Sequence, residues 1–322
     1  MIDQIRLFIS QNTNPYHNLA IEKYLLDTLP PNGCTLYLWQ NAHTVVIGRN
    51  QNAWAECRCA LLEEEGGLLA RRLSGGGAVY HDLGNLNFTF LCPTAEEDIA
   101  KNLQVIQTAC AMAGILAERS GRNDLLADGR KFSGNAFYHS KGKSYHHGTL
   151  LINADTEKMT RYLTPPKAKL EAKGIQSVRS RVVNLSELAP DLTCKQMEKY
   201  LIAAFEQVFA LPAIPCPEPD PSVVEPLAET YGSREHLYGA PLPFTLSCKE
   251  QFGWGGAELQ LQVKGGIIQA ARLYTDALEH TLPHAVETAL CGIPFEPKAA
   301  ETALSPLPHG EDLWAMLREQ AF

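Results

Sequence analysis

The 322-residue sequence lacks both common glycine-rich nucleotide motifs, since neither GxGxxG nor GxxxxGK[ST] occurs in it. Neither a dinucleotide-binding Rossmann domain nor a P-loop NTPase is therefore indicated. It contains no run of 18 apolar residues, so no membrane-spanning helix is expected. No basic region precedes a long apolar run at the N-terminus, so no secretory signal peptide is expected. These absences predict a cytoplasmic protein that does not bind membranes.

The cysteine pattern also excludes classes of protein. There are nine cysteines and no CxxC pair, and the closest two are Cys57 and Cys59. This spacing favours reduced thiols over a disulfide framework or a zinc site. Cys57 and Cys59 fall in a stretch with a helical pattern and are predicted to pack in the core.

Acidic and basic residues are unevenly distributed along the chain. The net charge is −8, yet residues 119–181 hold 13 Lys and Arg against 5 Asp and Glu. A basic segment in an acidic chain suits an anionic small molecule or an acidic protein partner. The overall negative charge opposes nucleic-acid binding, so no nucleic-acid partner is expected. A hydrophobic content of 45% predicts a globular core, and the length allows two domains.

The local patterns predict helices and strands without strict alternation. Helices are predicted over residues 14–29, 97–115 and 195–209. Strands are predicted as a hairpin of 35–39 with 44–47, a second pair of 78–80 with 86–91, and a C-terminal set at 244–248, 258–264 and 267–274. Residues 165–185 are predicted to form a long, basic surface loop. The arrangement favours an α/β or α+β fold with mixed sheets over a Rossmann fold.

The stretch 71–82, RRLSGGGAVYHD, is the strongest candidate for a binding site. Glycine lacks a Cβ, so a ligand can lie directly against the main chain there. Arg71 and Arg72 offer planar sets of donors for a carboxylate or phosphate. Backbone N–H groups beside arginine form an anion cradle. A hairpin turn with solvated arginines is the alternative interpretation of this stretch.

Two further polar segments are candidates for the same site. A turn places Lys131 at the start of a strand, where its ammonium could contact a carboxylate and a phosphate together. Asp124, in the turn 120–124, offers a carboxylate for Mg²⁺ or another cation. Either segment could instead be a solvated turn. His146 and His147 are adjacent on a predicted strand and point to opposite faces, so they are not expected to share a metal ion.

Apolar residues near these segments belong either to the core or to an apolar tunnel beside the glycine loop. The sequence leaves both interpretations open for Trp39, Val45, Val46, Phe88 and Phe90.

Several motifs together resemble the bacterial lipoate–protein ligase A family. They are RRLSGGGAVYHDLGNLNFTF (71–90), SGRNDL (120–125), DGRKFSGNAF (128–137), HHGTLLIN (146–153) and AKGIQSVRSRVVNL (172–185). The resemblance implies a catalytic domain similar to those of biotin protein ligases and class II aminoacyl-tRNA synthetases, over residues 1–243. A small α+β accessory domain over residues 244–322 is implied as well.

The resemblance also implies a reaction and a set of site residues. Lipoate, or octanoate, and ATP with Mg²⁺ would give an acyl adenylate, and the acyl group would pass to a lysine of a lipoyl domain. The carriers implied are the E2 subunits of 2-oxoacid dehydrogenases and the glycine cleavage H protein.

Among the site residues that the resemblance implies, Lys131 would be catalytic and would contact both lipoate and nucleotide. Nucleotide contacts are implied for Arg72, Gly77, Ala78, Val79 and Tyr80. Lipoate contacts are implied for Arg71, Ser74, Gly75, Gly76 and His147. Further candidates are Arg49, Asn123 and Asp124. The 165–185 segment would cover the adenylate, and no metal ligands are assigned.

Three alternatives remain at this stage. An octanoyl or lipoyl transferase of the same fold would need a cysteine nucleophile, for which Cys92 and Cys110 are nearest in sequence. Both have the pattern of packing residues. A biotin ligase is disfavoured by the SGGG run and the accessory domain. A non-catalytic acyl-binding module would bind lipoate without ATP-dependent chemistry.

Overall fold

The largest sheet of the described protein is mixed and has eight strands. The computed structural model describes residues 1–121, 124–164, 182–239 and 244–321. The strands of this sheet are β1 (Gln4–Ile9), β2 (Gly33–Trp39), β6 (Asn85–Pro93), β7 (Glu118–Ser120), β8 (Asp124–Ala127), β9 (Arg130–Ser140), β10 (Lys143–Leu151) and β11 (Ala213–Pro215). Their order in the sheet is β11-β1-β2-β6-β10-β9-β8-β7. Only the β11–β1 and β1–β2 pairs are parallel among these described strands.

Two smaller sheets complete the strand structure. One has the order β4-β3-β5, and its strands are β3 (Thr44–Ile47), β4 (Leu68–Arg71) and β5 (Val79–His81). The other is an antiparallel meander of β12 (Leu246–Phe252), β13 (Gly255–Lys264) and β14 (Ile267–Thr275).

Helices flank the sheets. They are α1 (Pro15–Asp27), α2 (Ala53–Glu56), α3 (Cys59–Glu64), α4 (Ile99–Met112), α5 (Thr156–Tyr162), α6 (Leu185–Leu188), α7 (Cys194–Phe209), α8 (Pro221–Gly232), α9 (Arg234–Tyr238), α10 (Leu282–Leu290), α11 (Pro297–Leu304) and α12 (Gly310–Ala321). Across the described ranges, each helix is too short or too polar to span a bilayer.

Helix α1 begins where the sequence predicts. Asn14 caps it, because its side-chain oxygen accepts hydrogen bonds from the N–H groups of Tyr16 and His17, and Pro15 occupies the first turn. The buried face is unusual, since it carries the polar residues Asn18 and Glu22. These residues are four apart and therefore lie on one side of the helix, directed toward the sheet.

The opposite face of the sheet is covered by α4 and α7. Helix α7 is capped by Thr193 and buries Met197, Leu201 and Phe205, whose spacing forms one stripe. These side chains share a hydrophobic core with Leu103 of α4. Both helices confirm the sequence prediction, although α4 is shorter at each end than residues 97–115.

The C-terminal segment has a hydrophobic core of its own, formed by residues between Cys248 and Leu317. The three predicted C-terminal strands are confirmed as β12, β13 and β14. The predicted domain boundary at residues 243 and 244 borders a segment outside the described residues, so it stays a prediction. Residues 165–181 of the predicted surface loop also lie outside the described ranges.

The two predicted N-terminal hairpins are wrong. Strand β2 lies in the large sheet between β1 and β6, whereas β3 pairs with β4 and β5 in the smaller sheet. Likewise, β5 pairs with β3 and does not pair with β6. The connection 40–43 has hairpin length, but Asn41 within it is buried and bonded to Asn18 and His81. These tertiary contacts direct the chain from one sheet to the other.

Candidate active site

A cavity of about 360 Å³ lies between the large sheet, the glycine stretch and the connection from β14 to α10 in the C-terminal segment. The sheet contributes Trp39, Asn87, Asp124, Lys131, Gly134, Asn135, Ala136, His147, Gly148 and Thr149. The remaining lining residues are Leu19, Val46, Arg72, Gly76, Gly77, Ala78, Val79, His81, Asp276 and Leu278.

The order of the strands gives the cavity a long axis. Asp124 lies on β8 and Trp39 lies on β2, and β9, β10 and β6 separate these two strands. Four steps of about 4.8 Å between neighbouring strands make this span roughly 19 Å. Lys131 and Asp124 therefore mark a charged end, and Trp39, Asn87 and His81 mark the far end.

The charged end contains an ion pair. Lys131 Nζ lies 2.7 Å from Asp124 Oδ1, and both side chains remain more than a third exposed. A Cβ at Gly134 would approach Lys131 Nζ to 3.1 Å, so the absence of a side chain there leaves room for the ammonium. Since an exposed pair of this kind is weak, Lys131 can exchange Asp124 for another anion at little cost.

Arg72 organises the glycine loop. Its Nε donates to Ser74 Oγ at 3.0 Å, and its Nη2 donates to the carbonyls of Gly75 and Gly77 at 2.7 and 2.8 Å. Its Nη1 donates to the Val46 carbonyl at 3.2 Å. Burial lowers the pKa of Arg72 to about 10, so the group remains a cation near neutral pH. It therefore places a buried positive charge beside the cavity wall.

A buried hydrogen-bond chain continues from this arginine. Ser74 Oγ lies 2.7 Å from His147 Nε2, and His147 Nδ1 lies 2.8 Å from Glu22 Oε1. Thr89 Oγ1 donates to the same Glu22 oxygen at 2.8 Å, and Trp39 Nε1 donates to Thr89 Oγ1 at 3.1 Å. The chain links the cation beneath the glycine loop to the aromatic ring at the far end of the cavity.

The predicted site residues fall into two groups. The structure brings Lys131, Arg72, Gly76, Gly77, Ala78, Val79, His147 and Asp124 to the cavity wall. The remaining described candidates, Arg71, Arg49, Ser74, Gly75 and Tyr80, are absent from the lining, and Asn123 lies outside the described residues.

Arg71 faces away from the cavity. Its Nη1 donates to the carbonyls of Gly48, Arg49 and Gln51, and its Nε donates to those of His236 and Leu237. This side chain ties the 48–51 turn to α9.

Three other candidates lie behind or beside the wall. Arg49 is exposed, and its N–H donates to the Ser74 carbonyl at 2.9 Å. Tyr80 is buried, and its ring packs against those of His43 and Tyr162. Ser74 is buried behind the wall, where its Oγ lies 2.7 Å from His147 Nε2.

The C-terminal segment closes one side of the cavity. The Gly76 N–H donates to the Ala277 carbonyl at 3.1 Å, and a Cβ on Gly75 would lie only 2.3 Å from that carbonyl oxygen. Asn50 donates through its side chain to the His280 carbonyl at 3.0 Å. Close approach of two main chains thus requires glycine at position 75.

No cysteine lines the cavity within the described parts of the chain, which include all nine cysteines. Cys92 and Cys110 are buried, and burial raises the pKa of both thiols, that of Cys110 to about 12. The thiolate is the reactive form, so neither residue has the environment of a nucleophile. The cysteine-dependent transferase alternative finds no support here.

Within the described ranges, no three His, Cys, Asp or Glu side chains converge as a metal site. Mg²⁺ that accompanies ATP is usually held by phosphate oxygens and one or two carboxylates. Asp124 and Asp276 are the carboxylates in the cavity wall. The site thus fits a metal that enters with the nucleotide.

Two family models match this chain, one over its N-terminal part and one over its C-terminal part. Residues 14–206 match the family described as the lipoyl protein ligase A/B catalytic domain. The chain belongs to this family. Residues 242–316 match the bacterial lipoate protein ligase C-terminus. The predicted family, fold class and ligase activity are therefore confirmed.

Solved structures of other ligases are similar over most of this ligase. P. falciparum LipL1 in complex with lipoate is 28% identical, with a TM-score of 0.85 and 98% of each chain covered. A bipartite lipoate protein ligase from Thermoplasma acidophilum, described with its E2 lipoyl domain, is 25% identical over 76% of this chain and 100% of its own, with a TM-score of 0.65. A lipoate-protein ligase A bound with ATP shares the fold, at 24% identity and a TM-score of 0.64 over 74% of this chain and 99% of its own.

Sequence reasoning missed several site residues of this ligase. Glu22 and Thr89 were not among the candidates, and neither were Asp276 and Leu278 of the C-terminal segment. Glu22 had a detectable signal, because it shares a helix face with Asn18 in an otherwise apolar stripe. Asp276 and Leu278 had no such signal in the sequence, since only tertiary packing brings them to the cavity.

Proposed function

We propose that this ligase activates lipoate with ATP and transfers the lipoyl group to lysine residues of lipoyl carrier domains. In the first step, a lipoate carboxylate oxygen attacks the α-phosphorus of ATP. The bond to the bridging oxygen breaks, and lipoyl-AMP and pyrophosphate result. In the second step, a carrier lysine amine attacks the acyl carbon. An amide forms, the amine loses a proton, and AMP leaves.

The observation that carries this proposal is the position of Lys131 and Arg72 on the wall of one cavity that also has an apolar portion. Carboxylate and phosphate repel each other, and the ion pair of Lys131 Nζ with Asp124 Oδ1 at 2.7 Å supports a role for this ammonium in holding an anion. We infer that Lys131 leaves Asp124 and contacts both reacting groups, which offsets the repulsion. The acyl tail would then lie toward Trp39.

The glycine loop has a separate role in the proposal. Arg72 binds its carbonyls, and Gly77, Ala78 and Val79 line the cavity, so we infer that the N–H groups of Gly77 and Ala78 contribute to an anion-binding wall. Arg72 would thus position the loop and supply buried positive charge. His147 would border the acyl tail, and Ser74 would fix its ring.

Mg²⁺ would be held by the ATP phosphates together with Asp124 or Asp276, the two carboxylates of the cavity wall, and it would neutralise phosphate charge. We further propose that the protein acts in the cytoplasm. Its carriers would be the lipoyl domains of 2-oxoacid dehydrogenase E2 subunits and the glycine cleavage H protein. The P. falciparum ligase, solved with lipoate, and the T. acidophilum ligase, described with its E2 lipoyl domain, support this choice of partners.

Lipoate-dependent exchange of pyrophosphate into ATP tests the first step without any carrier. We expect exchange with lipoate and Mg²⁺, and loss of exchange when EDTA is added. Addition of a lipoyl domain should then give a product whose mass is larger by one lipoyl group. A folded protein that binds lipoate but shows no exchange would instead support the acyl-binding module.

A further inference from the structure

The far end of the cavity contains two polar groups that lack partners. His81 and Asn87 line the cavity, and each is at least 97% buried. His81 Nε2 and Asn87 Nδ2 have no hydrogen-bond partner in the described part of the protein. Most buried polar groups in folded proteins are satisfied, so such pairs of orphan atoms call for a ligand or water.

The role of His81 Nε2 follows from a chain of hydrogen bonds that starts at the main chain. The Asn18 amide nitrogen donates to the carbonyls of Asn12 and Gln40, which can only accept. The same nitrogen lies 3.0 Å from Asn41 Oδ1, so its two N–H groups are shared among three acceptors. This contact fixes Asn41 Nδ2 as the group that faces His81 Nδ1 at 3.2 Å.

His81 Nδ1 must therefore accept, and a neutral ring then carries its proton on Nε2. Burial, together with the nearby charge of Arg72 and then His147, lowers the pKa of His81 to about 3. The ring is thus neutral near pH 7, and Nε2–H is a fixed donor at the cavity wall. Asn87 Nδ2 is a second donor, because Asn87 Oδ1 accepts from Asn85 at 2.9 Å.

We propose that the far end of the cavity selects acyl tails that carry hydrogen-bond acceptors, with His81 as the specificity-determining residue and Asn87 as a second donor. The proposal rests on the proposed function, because it concerns the tail of the acid that is activated there. The dithiolane sulfurs of lipoate are weak acceptors, whereas the end of octanoate has none. A hydrocarbon tail would exclude water and leave both donors unpaired, which disfavours its binding.

Pyrophosphate exchange with three acids tests this selection. Lipoate, octanoate and 7-oxooctanoate are compared, because the last has the length of octanoate and a strong acceptor near its end. We expect kcat/KM of the wild type to be about tenfold lower for octanoate than for either acceptor-bearing acid. Octanoate and 7-oxooctanoate have the same chain length and no dithiolane ring. A difference between them therefore reports the effect of the acceptor and not that of the size of the ring.

Two variants locate the effect at His81. His81→Phe retains an aromatic ring but removes the donor, so it should bring the ratio of 7-oxooctanoate to octanoate close to one. His81→Gln provides an amide N–H in place of the imidazole N–H and should recover part of the ratio. If His81→Phe fails to fold by circular dichroism, Asn87→Leu is measured instead and should lower the ratio in the same direction.

Equal kcat/KM for octanoate and 7-oxooctanoate in the wild type would overturn the proposal. An unchanged ratio in a folded His81→Phe or Asn87→Leu variant would overturn it as well. Absence of exchange with all three acids would contradict the proposed function rather than the tail selection. In that case the Kd values of the acids are measured by calorimetry without ATP. A Kd for octanoate about tenfold higher than that for 7-oxooctanoate in the wild type, and equal Kd values in His81→Phe, would then support the tail selection.

Discussion

Glu22 Oε1 lies 2.8 Å from His147 Nδ1, and both side chains are buried beside the cavity. The same oxygen accepts a hydrogen bond from Thr89. Removal of one partner from a buried network leaves the others unsatisfied, which costs about 1–3 kcal/mol for each orphan group. Glu22 is therefore important for stability as well as for the shape of the site.

Replacement of Glu22 by alanine should destabilise the protein by about 3 kcal/mol, because His147 Nδ1–H and the Thr89 hydroxyl both lose their acceptor. Urea unfolding monitored by circular dichroism measures the change. Glu229→Ala, at an exposed position on α8, is the control and should change the free energy of unfolding by less than about 0.5 kcal/mol. Equal stability of the two variants would contradict the role given to Glu22.

Lys131→Ala should lower lipoate-dependent pyrophosphate exchange by at least about 100-fold, the scale for removal of a key electrostatic group. The loss should fall mainly on kcat, because the ammonium acts where the carboxylate and phosphate approach each other. Lys195→Ala, exposed on α7 and paired only with Glu198 in the described structure, serves as the control. Exchange within a few-fold of wild type in Lys131→Ala would remove Lys131 from the reaction.

Gly75→Ala should separate the C-terminal segment from the glycine loop. Its Cβ would lie 2.3 Å from the Ala277 carbonyl oxygen and 2.7 Å from that of Leu278, and neither main-chain atom can yield easily. We expect an increased radius of gyration in small-angle X-ray scattering. Gly77→Ala is the matched control in the same loop, since nothing lies within 4 Å of its added Cβ. Identical scattering from both variants would be inconsistent with this contact.

Acid should destabilise the protein between pH 6.5 and 5.5 through its buried histidines. Burial lowers the pKa of His81 and of His146 to about 3, so the unfolded chain binds protons that the native state does not. Stability is therefore complete above pH 6.5 and falls as the pH decreases toward 3, by about 1.4 kcal/mol per pH unit for each such histidine. Urea unfolding at pH 7.5 and 5.5 measures this loss. His146→Gln should reduce the difference between the two pH values by about 1 kcal/mol, and an unchanged difference would refute the assignment.

The sequence predicted the residues of the charged end better than those of the far end. Lys131, Arg72 and the glycines stand out because their local chemistry is unusual, and the motif order adds specificity. Glu22, Thr89 and Asp276 become part of the site only through tertiary packing. Arg71 shows the limit of a motif, since two adjacent arginines look equivalent in the sequence yet make different contacts.

The same limit explains the wrong hairpins. Residues 35–39 and 44–47 have strand patterns and a connection of hairpin length, so local rules pair them. The pairing is decided instead by burial of Asn41, which bonds to α1 and to His81 across the connection. The helix predicted over residues 195–209 is confirmed as α7, because its apolar stripe lies within one segment and does not depend on distant contacts.

The contrast between Arg71 and Arg72 has a consequence for how this chain tolerates a deletion. Arg71 ends β4, and consecutive residues of extended chain point to opposite sides. The Arg71 guanidinium consequently links the 48–51 turn to α9, whereas the Arg72 guanidinium binds the carbonyls of the glycine loop beside the cavity. A single-residue deletion within residues 68–70 would reverse this alternation, so that Arg71 would point into the cavity and the glycine loop would lose its hydrogen bonds from Arg72.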